Sequence, residues 1–493
     1  MSMMDSDLAD LLTDALRQAD PGRPAIVESG RATTYAELDS RSAALADRLA
    51  SGSASGSASG SAGRSEPVAV ALPRGAAALT AMVACVRAGR PFFPVDPAVD
   101  AAAACRDAGV ETMIFEGAAP GWWHGEGPGA PPAGVADPDC GYLLTTSGTT
   151  GAAKTVRGSG PALARYLAWQ RDHLALTGDD VLANTADPWF DFSFKETLGA
   201  VVAGATVAVV EPAALATGGA LLRRLADLRP TVLCLLPSRL AMLVEALARP
   251  GAPRLDRLRL LLVSGEPFPV ALLERWRAVA PEPTVLNLYG PTESTVIKLC
   301  HTVGSTVDAD VDADAVTVPV GRPIPGAAVE LLPTVDGAAT ELCLVSDDLA
   351  LGYLRAVGGT TVFDHDTAGR RRLRTGDLAR RTRDGLIEIV GRVDHMVKRR
   401  GVKVSLPDVA AAALRYPGVV TAVAVCGAGE RIVLFYTTAA PVDPRALRTV
   451  LLDRLAPEQL PDRVRELDRM PVDARGKVDR AALTALVDGP VRT

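Results

Sequence analysis

Thr145-Thr146-Ser147-Gly148-Thr149-Thr150-Gly151-Ala152-Ala153-Lys154 follows directly on the apolar run Cys140-Gly141-Tyr142-Leu143-Leu144. The run reads as a short buried strand and the decapeptide as the loop that leaves it. Gly148 and Gly151 let backbone N–H groups approach a ligand closely. The hydroxyls between them donate hydrogen bonds and Lys154 adds positive charge, a combination that suits nucleotide phosphates held at the edge of a sheet. By itself the loop is ambiguous. From Gly148 it nearly spells the Walker pattern, but Ala153 stands where that pattern needs its last glycine, and a solvated Ser/Thr/Gly turn is the alternative.

On both sides of the loop the chain alternates short β runs with helical segments. Strands are expected at Val181–Ala183, Thr206–Val210, Val232–Leu236, Leu258–Val263 and Thr284–Leu288, with helices over 161–174, 218–229, 238–248 and 270–280 between them. Such alternation builds parallel sheets covered by helices. Residues 4–18 read as an amphipathic helix, with Leu8, Leu11, Leu12, Ala15 and Leu16 on one face. Thr34 and Glu37 form a capping-box signature for a second helix. The Ser/Gly/Ala repeat over 51–63 has nothing to bury and reads as an expanded surface loop before the strand-like Pro67–Leu72. Residues 316–390 are rich in short β runs and turns, which implies a separate antiparallel layer or small barrel. After Arg392 a compact α+β pattern of about 100 residues follows, an ordinary domain size. The expected fold is therefore α/β with α+β: a large N-terminal domain, 1–392, and a small mobile C-terminal domain, 393–493.

Size and composition narrow the function. At 493 residues the chain is too long for one core. A hydrophobic fraction of 48% with 22% charged residues is that of a soluble globular protein. A net charge of −6 gives no reason to expect nucleic acid as a partner. No signal peptide or bilayer-length apolar run is present, so a cytoplasmic location without membrane association is expected. The 7 cysteines show no C-x-x-C spacing and the 5 histidines no ligand-like cluster, which argues against zinc chemistry or a Ser–His pair.

Five further segments follow the loop in order: Phe190-Asp191-Phe192-Ser193, Asn287-Leu288-Tyr289-Gly290-Pro291-Thr292-Glu293, Arg374-Thr375-Gly376-Asp377-Leu378, the stretch from Gly391-Arg392-Val393-Asp394 to Gly401, and Arg475-Gly476-Lys477-Val478-Asp479-Arg480. Together with the loop they resemble the adenylate-forming superfamily, and within it the amino-acid adenylation domains of nonribosomal peptide synthesis. Thr34–Leu38 and Ala88–Pro97 look like further family segments, so the resemblance covers nearly the whole chain. The reaction it implies has two steps. A carboxylate attacks the α-phosphate of ATP, giving an acyl adenylate and pyrophosphate; a phosphopantetheine thiol then takes the acyl group.

The resemblance assigns Thr145, Thr146, Ser147, Gly148, Thr149, Thr150, Gly151 and Lys154 to the β- and γ-phosphates. Asn287, Tyr289, Gly290 and Thr292 belong to the ATP site, with Tyr289 against the adenine. Asp377 would accept hydrogen bonds from both ribose hydroxyls, as a carboxylate's two oxygens can, and Arg392 would support ribose or phosphate. Glu293 would help hold Mg²⁺, a hard cation that takes carboxylate oxygen. Lys477 would be the catalytic lysine that bridges the carboxylate and the α-phosphate, and Asp394 the hinge about which the C-terminal domain swings. The sequence departs from the family pattern at Ala153, Thr155, Met396 and Leu406-Pro407-Asp408.

For the substrate, the resemblance places Asp191 against an amino acid's ammonium. A helix cap is the alternative role for this residue. The other implied pocket walls are Phe192, Lys195, Cys234, Leu262, Ser264, Leu288, Val296 and Ile297. Lys195 either meets an acidic side-chain group of the substrate or turns outward to Glu196 or a backbone carbonyl. No condensation domain or carrier-type Gly-Gly-x-Ser site follows Lys477, so the expected enzyme is a stand-alone amino acid–carrier protein ligase with a separate phosphopantetheinyl carrier protein as partner. An acyl- or aryl-CoA ligase, an inactive nucleotide-binding relative and a P-loop NTPase are the competing readings. The presence of Lys477, Asp377 and Glu293 weighs against the inactive relative.

Overall fold

In the computed structural model the described residues are 7–51, 66–115, 121–124, 137–147, 153–304, 316–334, 339–355, 362–399, 402–438, 441–473 and 477–488. The expected repeat over 51–63 lies outside them, apart from Ser51.

Two sheets with parallel centres form the larger part of the molecule. In the nine-stranded sheet, Thr284–Tyr289, Leu260–Ser264, Val232–Leu235, Val181–Asn184, Thr206–Val209 and Pro24–Glu28 are consecutive parallel neighbours. Antiparallel strands close both edges. In the seven-stranded sheet, Cys140–Ser147, Phe92–Pro94, Val68–Ala71 and Thr112–Phe115 run parallel in that order. Helices Leu8–Gln18, Tyr35–Ser51, Ala76–Arg87 and Gly160–His173 share one core cluster with residues of both sheets, among them Val70, Phe92, Tyr142, Leu182 and Val207. Strands buried on both faces have to read as near-continuous apolar runs, which is why they were visible in the sequence.

Local signals set the element ends. Leu8, Leu12 and Leu16, one turn apart, are the buried face of the first helix. The capping box at the second helix is reciprocal: Glu37 N donates to Thr34 Oγ1 at 3.2 Å and Thr34 N to Glu37 Oε2 at 3.0 Å. On the outer face of the nine-stranded sheet, helices Gly218–Leu228, Pro237–Leu247 and Val270–Val279 bury a second cluster that includes the fully buried Trp276.

The expected antiparallel layer is a five-stranded sheet built on the long strand Arg371–Arg381, with Thr340–Val345, Phe363–His365 and Ile387–Arg392 beside it and Ala328–Pro333 at one edge. Its register sets Asp377 opposite Arg392. Beyond Val393 lie a hairpin, Met396–Arg399 with Val402–Ser405, and a three-stranded sheet, Val419–Cys426, Ile432–Thr438 and Arg463–Glu466. Helices Leu406–Leu414, Pro444–Arg454 and Arg480–Asp488 cover them, with separate apolar clusters of their own.

Candidate active site

The C-terminal ends of the parallel strands, where open α/β sheets hold ligands, converge on one cavity. Thr145, Thr146, Asp191, Phe192, Lys195, Ser264, Gly290, Thr292, Val296, Ile297 and Lys477 line it. It encloses ≈ 130 Å³; a single water takes about 10–15 Å³ on this scale, so a small organic molecule fits. Cys234, Leu262 and Leu288 do not line it. They are buried in adjacent parallel strands, with Cys234 opposite Leu262 and Leu288 opposite Ser264, so they share the sheet face of Ser264 and pack directly behind the lining, in the apolar cluster that also holds Val296 and Ile297. Thr185, Trp189, Phe190, Leu236, Arg239 and Gly265 also line it and were not anticipated.

Asp191 precedes the short helix Phe192–Glu196 and makes no side-chain cap bond to it. Its carboxyl is pushed above the usual range by burial, against the opposing pull of Lys195, Lys477 and the Thr292 hydroxyl. Lys195 turns inward: its Nζ donates to Ser264 Oγ at 2.9 Å and lies 3.8 Å from the centre of the Phe192 ring. Burial lowers its pKa. Glu196 turns the other way and accepts from Asn184 Nδ2 and from Thr185 and Ala186 N, each at 2.9 Å.

The wall formed by Val296 and Ile297 rests on unusual backbone. Thr295 and Val296 have φ of 61° and 67°, a region costly for β-branched residues at about 1–3 kcal/mol each. Gly290 makes the approach possible, since a Cβ there would lie 2.3 Å from Val296 O.

The hairpin Cys140–Ser147/Ala153–Ser159 pairs Thr146 with Lys154; Gly148, Thr149, Thr150 and Gly151 lie outside the described residues, as does the side chain of Ser147. Lys154 Nζ sits 5.6 Å from the Tyr353 ring centre, and Tyr353 OH donates to Glu293 Oε1 at 2.7 Å, which brings Lys154 and Glu293 to one side of the site. Among the described residues no group of three or more His, Cys, Asp or Glu could hold a metal ion; Glu293 lies close enough to Asp191 to raise the latter's pKa.

A second polar chain runs from Tyr289 to Asp394. Tyr289 OH donates to Asp377 Oδ2 at 2.5 Å and Arg392 Nη1 to Asp377 Oδ1 at 2.7 Å. Arg392 also donates from Nε and Nη2 to both oxygens of Asp394, at 2.8 and 3.1 Å. Burial raises the Asp377 pKa, against Arg392 and the Tyr289 hydroxyl. Asn287 is buried, with Nδ2 donating to the carbonyls of Val318 and Pro319.

Lys477 reaches the cavity beside Gly265, whose Cβ position would lie 4.0 Å from Lys477 Nζ. Glu266 holds the backbone there, accepting Val478 N at 3.0 Å and Ser238 N at 2.9 Å. Neither Glu266 nor Tyr353 was anticipated. The only sequence signal for Glu266 was a Gly-carboxylate pair directly after an apolar strand.

Residues 14–354 match the AMP-binding enzyme family. The chain belongs to that family. Its relatives within the family include novobiocin biosynthesis protein H of Streptomyces niveus, 33% identical over 97% of this chain and 82% of that one. Isonitrile lipopeptide synthase of Mycobacterium tuberculosis is 32% identical over 94% of this chain and 19% of its own length. The chain spans as little as 6% of another curated relative. The crystal structure of IdnL7 superimposes with a TM-score of 0.79 at 27% identity, covering 98% of this chain and 99% of that one. The chain is thus a member of the adenylate-forming ligases and has the fold of that family, not that of a P-loop NTPase. Among the described residues no helix is long and apolar enough to cross a membrane.

Proposed function

We propose that the chain activates an α-amino acid as its aminoacyl-AMP and transfers the aminoacyl group to the phosphopantetheine thiol of a separate carrier protein. The observation that carries the amino-acid reading is Asp191, among the described residues the one carboxylate in a cavity lining that also holds Lys195, Arg239 and Lys477, with no salt bridge and a pKa raised by burial. A carboxylate so placed is costly without a counter-charge, which a substrate ammonium supplies. A fatty or aryl acid without an amine would leave it with only the through-space pull of Lys195 and Lys477 and the Thr292 hydroxyl.

On this reading the substrate's ammonium meets Asp191 and its carboxylate points toward Lys477. A carboxylate oxygen attacks the α-phosphorus of ATP, and the bond to the bridging oxygen breaks to release pyrophosphate. Lys477 stabilises the charge developing between carboxylate and phosphate, a preorganised contribution typically worth about 10²–10³ in rate. Residues 145–151 and Lys154 hold the departing phosphates. Tyr289 flanks the adenine, Gly290 and Thr292 border the nucleotide, and Asp377 with Arg392 receives the ribose. Asn287 acts from behind by fixing the 318–319 backbone.

Mg²⁺ keeps several waters and takes one or two carboxylates besides substrate phosphates, and Glu293 beside Lys154 fits that need. It would supply neutralisation of the phosphate charge. The chain divides at residues 392–393, and Asp394, clamped by Arg392, is the hinge. Rotation there withdraws Lys477 and opens the adenylate to the thiol, whose sulfur attacks the acyl carbon and displaces AMP.

ATP–pyrophosphate exchange across the proteinogenic amino acids, with aryl and fatty acids alongside, tests the reading. Exchange with one or a few amino acids supports it, and exchange confined to amine-free acids overturns it. Loading a holo-carrier in preference to coenzyme A supports the acceptor.

A further inference from the structure

We propose that Lys195 and Ser264 form the subsite for an anionic side chain, and that the amino acid activated is an α-amino dicarboxylate of aspartate or glutamate length. The inference rests on the amino-acid reading above and deepens it.

Lys195 is only 2% exposed, yet it lines the same cavity as Asp191 and Lys477. An ammonium has three N–H donors. One goes to Ser264 Oγ at 2.9 Å, and the Phe192 ring covers another side of the nitrogen at 3.8 Å. The charged and titratable groups around it are Cys234, Asp191, Glu196 and Lys477. Glu196 is already committed to Asn184, Thr185 and Ala186, with the Thr185 hydroxyl as a further donor at 2.9 Å. Among the described residues neither Glu196 nor Asp191 forms a salt bridge with Lys195. A buried cation without a paired anion is costly, and here its open side faces the ligand space.

Asp191 and Lys195 stand four residues apart, so one helical turn sets their side chains on the same face, and both line the cavity. A ligand carrying an ammonium at one end and a carboxylate a few bonds away can meet both. The α-carboxylate is accounted for by Lys477, which leaves Lys195 for a second acidic group. The lowered pKa of Lys195 agrees with a site whose charge is completed by its ligand.

Non-hydrolysable aminoacyl-sulfamoyl adenosines test this directly. The glutamyl and glutaminyl compounds, and the aspartyl and asparaginyl compounds, differ only in the side-chain anion. In calorimetric titration of the whole chain, the acidic member of at least one pair should bind about 10–100-fold more tightly. Lys195→Met, its folding checked by thermal melting, should erase the difference. Ser264→Ala should shrink it, and serves if Lys195→Met does not fold. Equal or tighter binding of the amides, or a preference that survives in the variants, overturns the subsite and leaves amino-acid activation standing. If no aminoacyl compound binds but an aryl-sulfamoyl adenosine does, the amino-acid reading falls, and this inference with it.

Discussion

Glu266 holds Val478. One oxygen of the half-buried carboxylate accepts the Val478 amide at 3.0 Å, across 212 residues of chain, and the other accepts Ser238 N at 2.9 Å at the start of the helix Pro237–Leu247. The helix N-terminus favours the negative charge. Burial nevertheless raises the Glu266 pKa, with the two amides and Lys477 opposing it. Because Lys477 immediately precedes Val478, the carboxylate sets where the ammonium can reach. Asp473 closes the same turn from within, accepting Lys477 N at 3.0 Å while Val472 bridges Val478.

Glu266→Ala should therefore lower the adenylation rate by about 10–100-fold, the equivalent of losing hydrogen bonds to a charged acceptor. ATP affinity should change little, since the lost contact is to Val478 and not to nucleotide. Rates of pyrophosphate exchange beside ATP titrations would check this; a rise in the ATP KM with an unchanged kcat would place Glu266 in nucleotide binding instead.

Lys477→Ala should cut adenylate formation by about 10²–10³ while largely sparing transfer from a supplied aminoacyl adenylate to thiol. Single-turnover assays of the two half-reactions separate these steps. Equal loss in both would contradict a role confined to the first.

What could be read from the sequence follows from how local each cause is. The reciprocal Thr34–Glu37 cap spans three residues, and the doubly buried strands declare themselves as apolar runs, so both were legible. The order of the site segments was legible because the resemblance carried it. The direction of Lys195 was not, because a five-residue helix offers two faces with polar partners on each: Ser264 on one side and Glu196 with its neighbours on the other. Cys234, Leu262 and Leu288 were assigned to the pocket from position in the chain; they share the sheet face of Ser264 and lie behind the lining, in the apolar cluster that also holds Val296 and Ile297. The Glu266 contact joins distant segments and leaves no pattern in either.

Gly290→Ala should damage the pocket more than an ordinary surface Gly→Ala change. The added methyl would meet Val296 O at 2.3 Å and Ile297 Cα at 2.8 Å, directly after Thr295 and within a turn where Thr295 and Val296 are already held at positive φ. Displacing this wall should cost roughly 1–3 kcal/mol of stability and raise the amino-acid KM by about tenfold or more. Thermal melts with exchange kinetics would measure both, and an unchanged KM would show that the wall does not contact substrate.

Tyr289→Phe removes the hydroxyl donated to Asp377 but keeps the ring. If the ring serves the adenine and the hydroxyl positions the ribose carboxylate, the ATP KM should rise by a modest factor, about 3–30-fold, with kcat largely kept. Tyr289→Ala should raise it further. Equal ATP KM values in the two variants would leave no role for the ring.

Asp191 sets stability against function. Burial lifts its pKa, opposed by Lys195, Lys477 and Thr292 and reinforced by Glu293. The folded protein therefore holds the proton to higher pH than the unfolded chain does. Stability from this group is fully present below the unfolded carboxylate pKa and is lost as pH rises through the raised folded value. At pH 7 the ionised Asp191 is a liability in the ligand-free protein, and Asp191→Asn, which mimics the neutral form, should raise the melting temperature there. The same change removes the charge that meets an ammonium, so amino-acid-dependent exchange should fall by at least about tenfold. In the wild type, acidification through the raised pKa should weaken amino-acid binding before it affects ATP binding. Melting temperatures and amino-acid KM values of both proteins across pH 4–8 test the pair of effects. A less stable Asp191→Asn variant at pH 7 would indicate that the carboxylate is held by internal contacts and does not await a ligand.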